Sequence, residues 1–97
     1  MLHIVNKSPF KFRNLDSCLR IAKDDDPIML IEDGVYAALP GTTLDRMMKE
    51  ALKTHSVFAI QADLKARGVD RIIEGIQVCD YSCFVTLVEK HVPYSWL

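Results

Sequence analysis

The sequence predicts an α/β protein with three α/β/α layers, in which helices cover a small, mostly parallel sheet of four to five strands. Short apolar segments rich in β-branched residues alternate with amphipathic helical segments on a period of about 25 residues, which is typical of βαβ units. One of these strands, residues 28–31, is apolar at every position, as in strands covered on both faces. Right-handed crossovers between parallel strands then place helices on the sheet.

The length and composition indicate one globular domain that spans residues 1–97. The chain has 97 residues, of which 49% are hydrophobic and 26% are charged. A chain of this size buries a core with little to spare. The sequence has no internal repeat, low-complexity tract or linker, so we expect a single domain.

The charge and the apolar segments exclude several classes of function. A net charge of −1 gives no basic excess for direct binding to nucleic acid. The apolar run Leu2–Val5 is shorter than the roughly 7–15 residues of a secretory signal, and we expect no contact with a membrane. These features predict a cytoplasmic protein with reduced thiols, and the odd number of cysteines does not suggest a disulfide framework.

The first strand and the first helix are predicted within residues 1–23. Leu2–Val5 forms the strand, and a basic loop follows it. Asn14 or Asp16 is expected to cap the helix. Pro27 stops the helical segment because it cannot continue the hydrogen-bond ladder. The apolar stripe of this helix consists of Leu15, Cys18, Leu19 and Ala22.

The rest of the chain continues the alternation of strands and helices. Pro93 is expected to end the last helix, and the aromatic tail, residues 94–97, either packs on the domain or is buried against a partner. The further predicted strands are residues 28–31, 56–60 and 76–79. The second helix is predicted to start at Thr42 or Thr43, and the third to cover residues 62–67 and end before Gly68. The fourth helix is predicted to follow its cap, Asp80.

Open α/β sheets place their sites where the strands end, at the carboxyl edge. The loop 6–13, the segment 32–34, and Asp80 with Cys83 should gather there. Glu32 and Asp33 could act as an acid and a base, or could form a turn that suits an Asp-Gly sequence. Glycine-rich phosphate motifs are absent, and the histidines lack metal-ligand spacing, so we expect neither cofactor nor metal.

Cys18 is the leading candidate for a reactive group. A helix N-terminus and nearby cations lower the pKa of a thiol, and several basic residues are close to Cys18 in sequence. The alternative is a small buried hydrophobe on the apolar stripe. Cys79 ends an apolar strand and is expected in the core, whereas Cys83 is a secondary candidate in a first helical turn.

Six sequence blocks together resemble the DsrH/TusB family across essentially the whole chain. They read M-L-H-x-V-N-K-S-P-F at residues 1–10, S-C-L at 17–19, E-D-G-V-Y-A-A at 32–38, D-L-x-A-R-G at 63–68, D-Y-x-x-F-V-x-L-x-x-K-H at 80–91, and a terminal Trp96. Each block alone is weak, but six in order are specific.

The resemblance implies a DsrEFH-like fold and a cytoplasmic subunit of a sulfur-relay complex that handles protein-bound persulfide. Members assemble with DsrE/TusD-like and DsrF/TusC-like subunits in a hexamer, and a DsrC/TusE-like carrier is the next partner. One branch of the family serves 2-thiolation of the tRNA wobble uridine, with tRNA an indirect partner. The other branch serves dissimilatory sulfur oxidation, and the sequence does not choose between them.

The resemblance also gives Cys18 a chemical purpose. DsrH-type members carry a cysteine in the first helix that takes up sulfur, and Cys18 matches that position, whereas Cys79 and Cys83 lie outside the family pattern. Three hypotheses therefore stay open. The chain is a sulfurtransferase subunit with Cys18 as persulfide acceptor, a non-catalytic structural subunit of the same complex, or a stand-alone α/β ligand-binding domain.

Overall fold

The computed structural model of the chain describes residues 1–96 and confirms the predicted α/β class. Within these residues, five strands form one sheet in the order β4-β3-β2-β1-β5, and every pairing is parallel. The strands are β1 (Leu2–Val5), β2 (Ile28–Leu30), β3 (Val57–Ile60), β4 (Gln77–Cys79) and β5 (Pro93–Trp96). The helices are α1 (Asn14–Ile21), α2 (Asp45–Ala51), α3 (Gln61–Ala66) and α4 (Tyr81–Lys90), with a 3-10 helix over Glu32–Ala38.

The two faces of the sheet carry separate apolar cores, because successive strand residues point to opposite faces. On one face, Val5 and Leu30 belong to the larger core, which α1, α2, α3 and the 3-10 helix cover. On the other face, Ile4 and Met29 belong to a smaller core covered by Phe84 and its neighbours on α4. The result is the predicted three-layer arrangement, with one layer much thinner than the other.

The start of α1 differs from the prediction. The helix begins at Asn14, so neither Asn14 nor Asp16 is its cap, and Arg13 occupies that position. The Asn14 side-chain amide donates instead to the Trp96 carbonyl at 3.0 Å. Asp16 pairs with Arg13 at 3.0 Å and with Arg20 at 3.2 Å. Both candidate caps therefore have other partners.

The start of α2 also lies later than predicted. The Thr42 hydroxyl accepts a hydrogen bond from the Leu44 amide at 3.1 Å, which forms a turn, and the helix begins only at Asp45. Within the helix, Lys49 Nζ and Asp45 Oδ2 form an ion pair at 3.3 Å. Gly68 has a φ of 67° and follows α3, which confirms its role at the helix end.

The C-terminal tail forms β5, whereas the sequence predicted a tail after the last helix without assigning it to a strand. α4 ends at Lys90 rather than at Pro93. Leu2 pairs with Pro93 and Val5 with Trp96. Pro93 suits this place because the first residue of an edge strand tolerates a missing amide. Residues 94–96 thus pack on the domain, and Leu97 lies outside the described residues.

In residues 1–96, each helix is too short or too polar to cross a membrane.

Candidate functional site

Cys18, the leading candidate, lies in the larger core. It is 0% exposed and belongs to the same cluster as Leu15 and Met48. It is the fifth residue of α1, one turn beyond the first orphan amides, so the helix N-terminus acts on it weakly. Burial, and secondarily the charge of Asp26, raises the pKa of Cys18 to about 12. The expectation of a lowered pKa is therefore wrong.

Three cations that lie near Cys18 in the sequence, Lys7, Arg13 and Arg20, have other partners. Arg13 and Arg20 both pair with Asp16 on the outer side of α1. The Lys7 ammonium lies 5.3 Å from the centre of the Phe12 ring, where it makes a cation–π contact. Proximity in sequence predicted a basic environment, but Arg13 and Arg20 are largely exposed to solvent and Lys7 lies in the loop before α1.

The carboxyl edge brings two of the three predicted segments to one cavity, and Asp80 borders a second cavity with Glu32. The loop after β1 and the 3-10 helix after β2 border one cavity of about 420 Å³. The side-chain oxygen of Asn6 is shielded from solvent and has no hydrogen-bond partner among residues 1–96. The cavity is lined by Asn6, Lys7, Ser8, Lys11, Phe12, Glu32, Asp33 and Tyr36.

Glu32 and Asp33 follow β2 as predicted, but Arg67 and Asp63 of the α3 segment hold them. The Glu32 amide donates to the Asp63 carboxylate at 2.7 Å, and Arg67 Nε donates to Asp33 Oδ1 at 2.9 Å. The Asp33 carboxylate raises the pKa of Arg67 above its ordinary value. This arrangement favours the turn over an acid–base pair. This cluster was not predicted from the sequence, although the i, i+4 spacing of Asp63 and Arg67 is a signal for it. Arg67 Nη1 lies 3.6 Å from Asp63 Oδ1.

Asp80 caps α4 as predicted, and its position brings two cysteines together. Its carboxylate accepts a hydrogen bond from the Cys83 amide at 2.8 Å. Cys79, at the end of β4, is fully buried as expected. Cys79 and Cys83 form a disulfide with their Cα atoms 5.4 Å apart, which corrects the expectation of free thiols. The turn from strand to helix at the cap provides this short distance.

A buried polar cluster at the amino edge of the sheet was not predicted from the sequence. His3 is 2% exposed, and its Nε2 lies 2.9 Å from the Asp26 carboxylate. Its Nδ1 accepts a hydrogen bond from the Trp96 indole at 3.1 Å. His55 Nδ1 lies 2.9 Å from the Asp26 carbonyl oxygen. No spacing pattern signals this cluster, because its members are far apart in the chain.

Among residues 1–96, no three histidine, cysteine, aspartate or glutamate side chains lie close enough together to bind a metal ion.

The architecture and the edge sites define an α/β protein whose fold occurs in other solved chains. The crystal structure of the ychN protein from E. coli superposes with a TM-score of 0.81 at 20% identity, and the match covers 97% of each chain. At this identity, the similarity shows the fold alone.

Sequence comparison identifies the family. The model described as "DsrH like protein" matches residues 7–93. Protein TusB of Enterobacter sp. (strain 638) is 36% identical over 98 residues, covering 99% of this chain and 100% of the relative. Protein TusB of Escherichia coli O1:K1 / APEC is 37% identical over 93 residues, 94% of each chain. The chain belongs to the DsrH/TusB family.

Proposed function

We propose that this chain is a subunit of a cytoplasmic sulfur-relay complex and that its role there is structural. Membership of the DsrH/TusB family supports the complex, with DsrE/TusD-like and DsrF/TusC-like subunits and a DsrC/TusE-like carrier as partners. The complex would serve either tRNA thiolation or sulfur oxidation. One observation carries the structural role: Cys18, the candidate sulfur acceptor, is enclosed in the core.

The burial of Cys18 opposes sulfur transfer in two ways. A donor persulfide has no route to a sulfur atom with 0% exposure. Burial raises the pKa of Cys18 to about 12, so the thiol is protonated at neutral pH, whereas the thiolate is the nucleophile. In this conformation, Cys18 packs as a small apolar side chain against Leu15 and its neighbours.

The second candidate function is persulfide uptake by Cys18, which the match of Ser17-Cys18-Leu19 to the family motif favours. In that reaction, the Cys18 thiolate attacks the terminal sulfur of a donor persulfide. A new S–S bond forms, the donor S–S bond breaks, and the donor leaves as a thiolate. The step would require α1 to move away from the sheet so that the sulfur becomes accessible.

Reconstitution tests the proposal. The chain is co-expressed with the DsrE/TusD-like and DsrF/TusC-like subunits, a persulfide donor is added, and intact mass follows sulfur on each chain and on the DsrC/TusE-like carrier. We expect that the three subunits purify together and that Cys18→Ala leaves transfer to the carrier unchanged. The matched variant Cys79→Ser/Cys83→Ser, whose single cysteine is Cys18, should gain no sulfur.

Two outcomes would contradict this. Gain of one sulfur mass by the Cys79→Ser/Cys83→Ser variant, together with loss of transfer in Cys18→Ala, would assign the acceptor role to Cys18. A chain that never purifies with the other subunits would instead favour a stand-alone α/β domain, for which the cavity at the carboxyl edge would be the ligand site.

A further inference from the structure

We propose that Cys79 and Cys83 form a reversible dithiol–disulfide pair and that Cys83 is the sulfur that exchanges with external thiols. The pair stands apart from the proposed relay function, and its chemistry needs neither Cys18 nor a partner subunit. The two residues are already joined, and their Cα separation of 5.4 Å lies within the range that a disulfide requires. The bond therefore closes without movement of the backbone.

The two sulfur atoms differ in access, which assigns their roles. Cys79 is the last residue of β4 and is 0% exposed. Cys83 is the third residue of α4 and is half-buried at the margin of the smaller core. An attacking thiol can therefore reach Cys83, whereas Cys79 is the leaving group and later the resolving cysteine. Access of this kind decides which sulfur is attacked in disulfide exchange.

The surroundings accommodate both redox states. Cys79 Sγ lies 3.6 Å from the Asp80 carbonyl oxygen. In the disulfide, this sulfur carries no proton and the contact is only van der Waals, but the reduced thiol gains an acceptor for its S–H. The bond from the Cys83 amide to the Asp80 carboxylate involves no sulfur. The start of α4 is therefore capped whether the pair is oxidised or reduced.

The position of the pair fits thiol–disulfide exchange rather than a permanent structural disulfide. Cys83 lies in the first turn of α4, which directly follows the cap residue Asp80, at the surface end of the pair. Disulfides of cytosolic proteins are usually transient and either catalytic or redox-sensing. The proposed cytoplasmic location therefore agrees with a reversible bond.

The exchange is a two-electron reaction with a small thiol as reductant. The thiolate of the first thiol attacks Cys83 Sγ, forms a mixed disulfide, and releases Cys79 as a thiolate that takes up a proton. A second thiol attacks the external sulfur of the mixed disulfide, which leaves Cys83 as a thiol. In sum, one protein disulfide and two thiols give one protein dithiol and one small disulfide.

The test uses the full chain, equilibrated in buffers with different ratios of reduced to oxidised glutathione. The samples are quenched in acid, unfolded and alkylated, and peptide masses report each cysteine. We expect Cys79 and Cys83 to pass together from fully blocked to fully alkylated as the buffer becomes more reducing. Cys18 should be alkylated to the same extent at every ratio and serves as the internal control.

Two variants separate the roles of the cysteines, with far-UV circular dichroism to verify folding. In Cys79→Ser, Cys83 should form a mixed disulfide with glutathione in oxidising buffers. In Cys83→Ser, the buried Cys79 should stay free of glutathione at every ratio. The proposal is overturned if Cys79 and Cys83 are alkylated independently of each other, if the pair stays oxidised in the most reducing buffer, or if glutathione attaches to Cys79 in preference to Cys83.

Discussion

Asp26 lies at the amino edge of the sheet, and its carboxylate contacts three other groups. Its carboxylate binds the N-terminal ammonium at 3.2 Å, the His3 ring at 2.9 Å and the Lys23 amide at 3.0 Å. The hydrogen bond with His3 is the main reason why the pKa of Asp26 falls from 3.8 to about 2. The same charge contributes to the raised pKa of the Cys18 thiol.

We predict that Asp26 makes stability depend on pH in the acid range. A carboxyl with a lowered folded-state pKa stabilises the fold above the unfolded-state pKa, near pH 4, and this contribution is lost as the pH falls towards 2. Urea unfolding from pH 5 to pH 2 should show this loss in the wild type and a flatter profile in Asp26→Asn. Asp24→Asn, at an exposed neighbouring position, is the control and should keep the wild-type slope.

At the scale of elements, the 3-10 helix after β2 depends on the absence of a side chain at Gly34. A Cβ atom there would overlap the carbonyl oxygen of Val5, which itself accepts a hydrogen bond from the Ile31 amide at 3.0 Å. The 3-10 helix therefore lies directly against the end of β1. This close approach sets the position of Glu32 and Asp33 at the carboxyl edge.

Gly34→Ala is predicted to lower the free energy of unfolding by about 1–3 kcal/mol, as expected for overpacking against a rigid backbone. Gly41→Ala is the matched control, because Gly41 has a φ of 75° but open space around it. Backbone strain alone should cost Gly41→Ala roughly 1 kcal/mol. Urea unfolding compares the two variants, and a larger loss in Gly41→Ala than in Gly34→Ala would refute this account of the packing.

At the scale of the whole molecule, the α4 side of the sheet is thinly covered. Tyr81 at the start of α4 is 81% exposed, and Val78 on the edge strand β4 is 53% exposed. Edge strands with exposed apolar residues pair readily with other chains. A cavity of about 650 Å³ lies elsewhere, between α1 and α2, where Leu19 and Met47 line it.

We predict that the isolated chain self-associates through the β4 edge. Val78→Lys should shift the sedimentation profile towards monomer, because a lysine on an edge strand opposes strand pairing. Val92→Lys is the control, since Val92 is also exposed, at 70%, but precedes β5 at the opposite edge. A wild-type chain that stays a monodisperse monomer at high concentration would contradict the prediction.

The sequence predicted the parallel sheet, the helix cap at Asp80 and the C-terminal glycine of α3 because these depend on local periodicity and turn chemistry. It did not predict the 3-10 helix, whose apolar residues lie between turn signals, or the separate strand β5. β5 exists because residues 93–96 pair with β1, and local propensity carries no information about such distant pairing.

The candidate site was likewise predicted in part from the sequence and in part revealed only by the tertiary structure. The sequence by itself determined the family, the α/β fold and the meeting of the loops at the carboxyl edge, because strand order and chain direction fix where loops emerge. Only the tertiary structure decided that Cys18 is buried with a raised pKa, that Cys79 joins Cys83, and that His3 contacts Trp96. Solvent access and contacts across the fold set these properties, and neither is encoded in the spacing of residues along the chain.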